Sequence, residues 1–230
     1  MNYKSILFFF GIFILLFSIF PILNILYSIY FNVNFNLNLY IIIFFTCILL
    51  GLLFCYIGKD YRKDINLIDQ ILLSLISYIF IPLIISTPFY FGVYNFGLLN
   101  AYFESVSGFT TTGFSIIQDI DKIDQPLILW RSSSQWVGGL LFLLITIGTI
   151  GSKQIKIKPA YLISGGASGR NFYNNFNYNF IKILAIYFSS TILIIFLLNI
   201  SDLRLFDSFN LAFTSVSSGG FISKNNLDVV

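Results

Sequence analysis

Two stretches of this 230-residue sequence concentrate hydroxyl groups and glycine in one order, Thr110-Thr111-Thr112-Gly113-Phe114 and Ser217-Ser218-Gly219-Gly220-Phe221. Placing Gly113 on Gly220 gives an offset of 107 residues (220 − 113) that also pairs Phe114 with Phe221, Thr110 and Thr111 with Ser217 and Ser218, and Tyr102 with Phe209. The chemistry this pattern suits is cation handling. A K⁺ ion entering a narrow pore must exchange its water for protein oxygens, and rings of backbone carbonyls do this. A turn that aims successive carbonyls inward needs a residue free to take unusual φ/ψ, which glycine supplies. Neighbouring hydroxyls add oxygens or tie the turn down. A short helix expected over Leu98 to Phe109 would point its negative C-terminal end at the same place. One Thr-Thr-Thr-Gly run reads equally well as an ordinary surface loop. Its recurrence after a second apolar segment separates the two readings.

Other chemistries lack their residues. The sequence has no His, which removes Ser-His-Asp and Cys-His catalysis and His-dependent metal sites. Cys47 and Cys55 share one apolar block and read as small buried side chains too far apart to bridge. Gly165-Gly166-Ala167-Ser168-Gly169 lacks the Gly-Lys-Ser/Thr ending of a phosphate loop. Arg170 to Phe180 is rich in Asn and aromatics, as the whole chain is. No paired intramembrane acids are present, so an enzyme is disfavoured and no covalent cofactor is expected. Two charged residues flank the first turn. Glu104, in the short helix, reads as a structural acceptor behind the turn rather than an ion ligand. Arg131 reads as an interface anchor or a partner of Asp124. Trp130 and Trp136 read as belt and packing residues, and Gly138-Gly139 as a place where a short helix approaches closely.

The elements that position these residues must sit in lipid. Hydrophobic residues make up 57% of the chain and charged ones 10%, too few charges to cover a soluble surface. The apolar residues fall in blocks long enough to cross a hydrocarbon core of about 30 Å. Five spanning helices are predicted: Ser5 to Tyr30 with a kink at Pro21, Leu37 to Ile57, Leu67 to Pro88, Pro126 to Ile150, and Phe180 to Ile200. Gly97 to Ser115 and Asp207 to Ser223 are too short to span and read as re-entrant segments, which survive only inside protein or along a watery cavity. With the N-terminus in the cytoplasm, nine Lys and Arg residues fall inside and four outside, as the positive-inside rule favours. Both re-entrant segments then enter from the outer side.

At this point a family resemblance appears. AYFESVSGFTTTGFS resembles the first pore loop of TrkH-type potassium uptake proteins, and LAFTSVSSGGFIS their second. LWRSSSQWVGGLLFLL is similar to the helix that follows their first filter. The resemblance covers about Leu67 to Ser223. It implies an all-α polytopic membrane protein of helix–pore-loop–helix repeats around a pseudo-fourfold pore. It implies K⁺ as the transported ion, with carbonyl ligands from Thr110, Thr111, Thr112 and Gly113 and from Ser217, Ser218, Gly219 and Gly220. Gly rather than Ser at both filter positions leans away from a Na⁺-conducting relative. The resemblance also implies a plasma-membrane location, a cytosolic nucleotide-binding regulatory subunit of the Trk A type and a homodimer, with no nucleic acid. The stretch after Gly151 departs from the acidic segment expected there.

The expected organisation is two leading helices over 1–66, a first repeat over 67–151, a cytoplasmic loop over 152–176 and an incomplete second repeat over 177–230. With two filters visible, the chain reads as a fragment contributing two of four. Its alternatives are a Na⁺-conducting or Na⁺-coupled relative and a non-conducting piece that needs other chains.

Overall fold

The computed structural model describes residues 2–33, 36–62, 65–93, 95–150 and 168–224. Every longer element in them is helical. α1 (Tyr3–Phe17) and α2 (Ile19–Tyr30) form one bent span, followed by α3 (Leu37–Gly58), α4 (Leu67–Gly92), the short α5 (Leu98–Phe109), α6 (Gln125–Ile150), α7 (Ser168–Ile200) and the short α8 (Leu205–Ser217). Five helices among the described residues are long and apolar enough to cross a membrane, and they coincide with the five predicted spans. The protein is a multi-pass membrane protein.

Local sequence explains where the helices bend and start. The break between α1 and α2 falls at Ser18, not at Pro21 itself. Proline lacks an N–H and its ring strikes the carbonyl four residues earlier, here Phe17, so the ladder fails ahead of the ring. The Ser18 hydroxyl donates to the Leu15 carbonyl across the bend (2.7 Å). α4 begins with a capping box between Asn66 and Asp69, and the buried Asp69 also accepts the backbone N–H of Asn2 (3.1 Å). α4 continues past its predicted end at Pro88 to Gly92, with Pro82 and Pro88 inside it. The carbonyl of Ile84, which Pro88 leaves without its N–H, accepts the Thr87 hydroxyl instead (2.8 Å).

α7 begins at Ser168, inside the stretch expected as a loop over 152–176; its apolar span begins at Phe180, as predicted. Residues 151–167, with Gly165 to Ala167 of the glycine stretch, lie outside the described residues.

α6 is the central column. About four-fifths of its spanning window (78%) is buried inside the protein, against 17% for that of α7. It packs on α4, α5, α7 and α8. α5 packs against α4 and α6, and α8 against α7 and α6, so each short helix has two long ones beside it. Between membrane helices packing must come from close contact and polar bonds, because lipid is as apolar as leucine. Gly138 and Gly139 supply that contact. A Cβ on Gly138 would overlap the Phe109 carbonyl at the end of α5. A Cβ on Gly139 would meet the Cβ of Ser217 at the end of α8 at 3.0 Å and the Tyr187 hydroxyl of α7 at 2.7 Å. The two adjacent glycines thus receive the two short helices separately.

Gly138→Ala is expected to destabilise the folded protein by about 1–3 kcal/mol, as overpacking against a fixed backbone does. Gly97→Ser, at a position where an added Cβ would have nothing within 4 Å among the described residues, should be neutral. Thermal unfolding of the two purified variants in detergent checks the contrast.

Candidate functional site: two paired turns on one helix

α5 and α8 end alike. Thr111 and Ser218 both take the left-handed conformation, at φ 55° and 58°. Two residues on, Gly113 and Gly220 take φ 81° and 78°. The closing hydrogen bonds also repeat at the 107-residue offset. Thr111 N–H donates to the Gly108 carbonyl (2.9 Å) and Thr112 N–H to the Ser107 carbonyl (2.9 Å); Ser218 N–H donates to Ser215 (3.1 Å) and Gly219 N–H to Thr214 (2.7 Å). This is the Schellman closure, which satisfies carbonyls that a helix end would otherwise leave bare. Two different sequences therefore trace one backbone path.

The turns meet. A Cβ on Gly113 would run into the Gly219 carbonyl oxygen and lie 3.6 Å from the Gly220 Cα. Thr110, Thr112, Ser218 and Gly220 are exposed, Thr111 and Gly113 half-buried, and Ser217 and Gly219 buried. The Thr110 and Thr112 hydroxyls bond each other (2.7 Å). The Ser217 hydroxyl turns back to its own helix, onto the carbonyls of Phe213 (2.9 Å) and Thr214 (3.1 Å).

Behind the turns lies a buried ion pair. Glu104 of α5 is 0% exposed and Arg131 of α6 is 1% exposed. One carboxylate oxygen accepts from Arg131 Nε (3.0 Å) and Nη2 (2.9 Å) and from the Ser115 hydroxyl (2.9 Å). The other accepts the Ile116 N–H (3.0 Å). Arg131 also donates to the Ile222 carbonyl (3.3 Å), and its guanidinium lies 4.2 Å from the centre of the Phe221 ring. The pair therefore joins the strand leaving the first turn to the strand leaving the second. Arg131 departs from both expectations for it. It does not snorkel to an interface, and its acid is Glu104, not Asp124. Trp130 and Trp136 are buried packing residues rather than belt residues. Their indole N–H groups donate to the Ile85 carbonyl (3.0 Å) and the Thr191 hydroxyl (2.9 Å).

Three further residues at the site were not singled out from the sequence. Gln135, fully buried one turn after Arg131, donates to the Gly219 carbonyl (2.6 Å) and accepts the Phe221 N–H (3.2 Å). Asp207 of α8 accepts the Ser223 hydroxyl (2.6 Å), holding the second exit strand from its own repeat. Asn210 of α8 accepts the Ser132 hydroxyl of α6 (2.5 Å). The available signal was the polar run Arg131 to Gln135 in the middle of a span, since polar groups at membrane depth are functional candidates by default.

Arg131→Met would leave the Glu104 carboxylate buried and unpaired, a loss of about 3–5 kcal/mol. The double variant Arg131→Met/Glu104→Gln should recover a large part of it. A double-mutant cycle on thermal unfolding in detergent measures the coupling; additive losses would contradict it.

No protein-family model matches the sequence. The chain is 29% identical over 228 residues to a protein described as an uncharacterized cation transporter of Methanocaldococcus jannaschii, covering 96% of this chain and 46% of that protein. It is 35% identical over 82 residues to the Trk system potassium uptake protein TrkI of Halomonas elongata, covering 36% and 17% of the two. Its fold matches the crystal structure of the potassium transporter TrkH from Vibrio parahaemolyticus with a TM-score of 0.69 at 18% identity, covering 98% of this chain and 45% of that one. The chain spans about half the length of the relative and the solved structure that it matches along nearly all of its own length. Over part of its length its sequence is similar to Trk system potassium uptake proteins, and its fold is similar to that of TrkH.

Proposed function

We propose that the two turns are K⁺-selective filters and that this chain supplies two of the four that line one transmembrane pathway. One observation carries the reading: hydroxyl-rich turns 107 residues apart close with the same left-handed residues and the same hydrogen bonds, and they lie against each other. Both short helices end at the turns, so their partial negative charge favours a cation there. The ligands proposed are the oxygens of Thr110 to Gly113 and of Ser217 to Gly220. Pairing is cyclic in sense. Gly219 covers the open side of Gly113, while among the described residues nothing lies within 4 Å of a Cβ on Gly220. A further turn placed by the same operation would fall on Gly220.

Glycine at both positions, in a conformation that side chains rarely adopt, favours K⁺ over the Na⁺-conducting alternative. The names of the relatives point the same way, to cation transport and potassium uptake. On this reading the protein is a transporter rather than an enzyme. It lies in the plasma membrane with its N-terminus in the cytoplasm, and both turns open outward. Its partners are a cytosolic nucleotide-binding subunit and a second copy.

Gly113→Ser and Gly220→Ser should each lower the preference for K⁺ over Na⁺. Both impose left-handed strain of about 1–2 kcal/mol on a residue with a side chain, and Gly113→Ser also pushes the Gly219 carbonyl aside, so it should do more damage. Growth and ion uptake at low K⁺, in cells that depend on the full-length protein, is the assay. Unchanged selectivity in both variants would remove the filter assignment.

A further inference from the structure

We infer that Gln135 is a positioning residue that sets the ion preference of the second turn by fixing the Gly219 carbonyl; this rests on the reading of the turns as ion filters. The Gln135 side chain is wholly buried and both ends of its amide are engaged. The Phe221 N–H can only donate, so it must face the amide oxygen, and this leaves the amide nitrogen for the Gly219 carbonyl. The clamp spans the three residues Gly219, Gly220 and Phe221 from a helix of the other repeat.

The first turn has no such clamp. Thr112 is the counterpart of Gly219, and among the described residues its carbonyl accepts no hydrogen bond. Its hydroxyl instead ties it to Thr110. The clamp also accounts for a sequence difference between the repeats. A Cβ on Gly219 would collide with the Gln135 amide, so glycine stands where the first turn carries threonine. Whether a filter selects by cavity size or by the number and field strength of its carbonyls, a carbonyl that cannot swing or collapse inward is the quantity that matters. Gln135 restrains that freedom at one oxygen, and Gly113 lies against the same oxygen.

Gln135→Glu makes the clamp switchable. A protonated carboxyl can donate to the Gly219 carbonyl and accept from Phe221. A carboxylate can only accept, and it would repel that carbonyl. The charged groups near this position are Arg131, one turn back on α6, and Glu104 of α5, already paired with each other. Asp207 of α8 is bonded to Ser223, further along the exit strand.

The test uses the purified full-length protein in detergent, with thermal stability titrated against KCl and against NaCl at pH 5 and pH 9. The readout is the ratio of the half-stabilising concentrations. Hydrogen exchange at the Phe221 amide is followed alongside. Gln135→Glu should keep the wild-type ratio at pH 5 and lose about tenfold of it at pH 9, the worth of one buried hydrogen bond left unmade. Phe221 protection should persist in Gln135→Glu at both pH values, because carboxyl and carboxylate both accept its N–H, and Gln135→Leu should lose both that protection and the ratio at both pH values. A wild type stabilised by K⁺ whose ratio survives in both variants overturns the role of Gln135 and leaves the filters standing. Loss of Phe221 protection without a change in the ratio does the same. A wild type with no preferential response to K⁺ removes the filter reading and this inference together.

Discussion

A helix that stops inside a bilayer leaves its last carbonyls without partners, and no water is there to take them. That constraint governs this protein. α5 and α8 both stop short, and both hand their terminal carbonyls to N–H groups of a left-handed turn. Hydroxyl side chains take part of the remainder: Thr110 Oγ1 donates to the Val106 carbonyl (2.7 Å) and Ser217 to Phe213. Past the closed helix end the chain runs on without regular structure, and it needs new partners. Glu104, Arg131, Gln135 and Asp207 are those partners.

The same constraint explains why the least apolar span is the most enclosed. α6 has the lowest hydropathy of the five spans and the largest buried share. In water a polar run would face outward; in lipid it must face other protein. Arg131, Ser132, Ser133, Ser134 and Gln135 are all buried, and each makes at least one hydrogen bond. α7 shows the converse. Ile181, Ile186, Phe196 and Ile200 are all more than half exposed, which suits a lipid-facing helix that touches the site only through residues such as Tyr187, whose hydroxyl bonds the Trp136 carbonyl (3.0 Å).

Legibility followed the range of the interaction. The five spans and the short helix over Leu98 to Phe109 were readable because apolar run length is a local property. The correspondence of the two turns was readable because a repeat is an internal comparison that needs no coordinates. Arg131 was misplaced because it stands six residues into a helix, where a sequence offers snorkelling and a nearby acid with equal force. Its actual acid is 27 residues away on a different helix. Gln135 went unremarked for the same reason, since its partners are 84 and 86 residues distant. Gly138 and Gly139 announced close packing, but not that adjacent residues, pointing in different directions around the helix, would receive two different helices.

The two turns share a backbone path yet are held by different means. The first turn is braced by its own hydroxyls and by a carboxylate from its own short helix. The second has lost the hydroxyl at the equivalent of Thr112, and α6 of the preceding repeat replaces it with an amide. Duplication of a unit gives symmetric backbones at no extra specification, whereas side chains diverge freely wherever the partner lies in the other copy. The Gly219 carbonyl, at the junction of the two turns, accepts from Gln135 and lies where a Cβ on Gly113 would strike it. The two turns therefore pack as a pair, and each limits the freedom of the other.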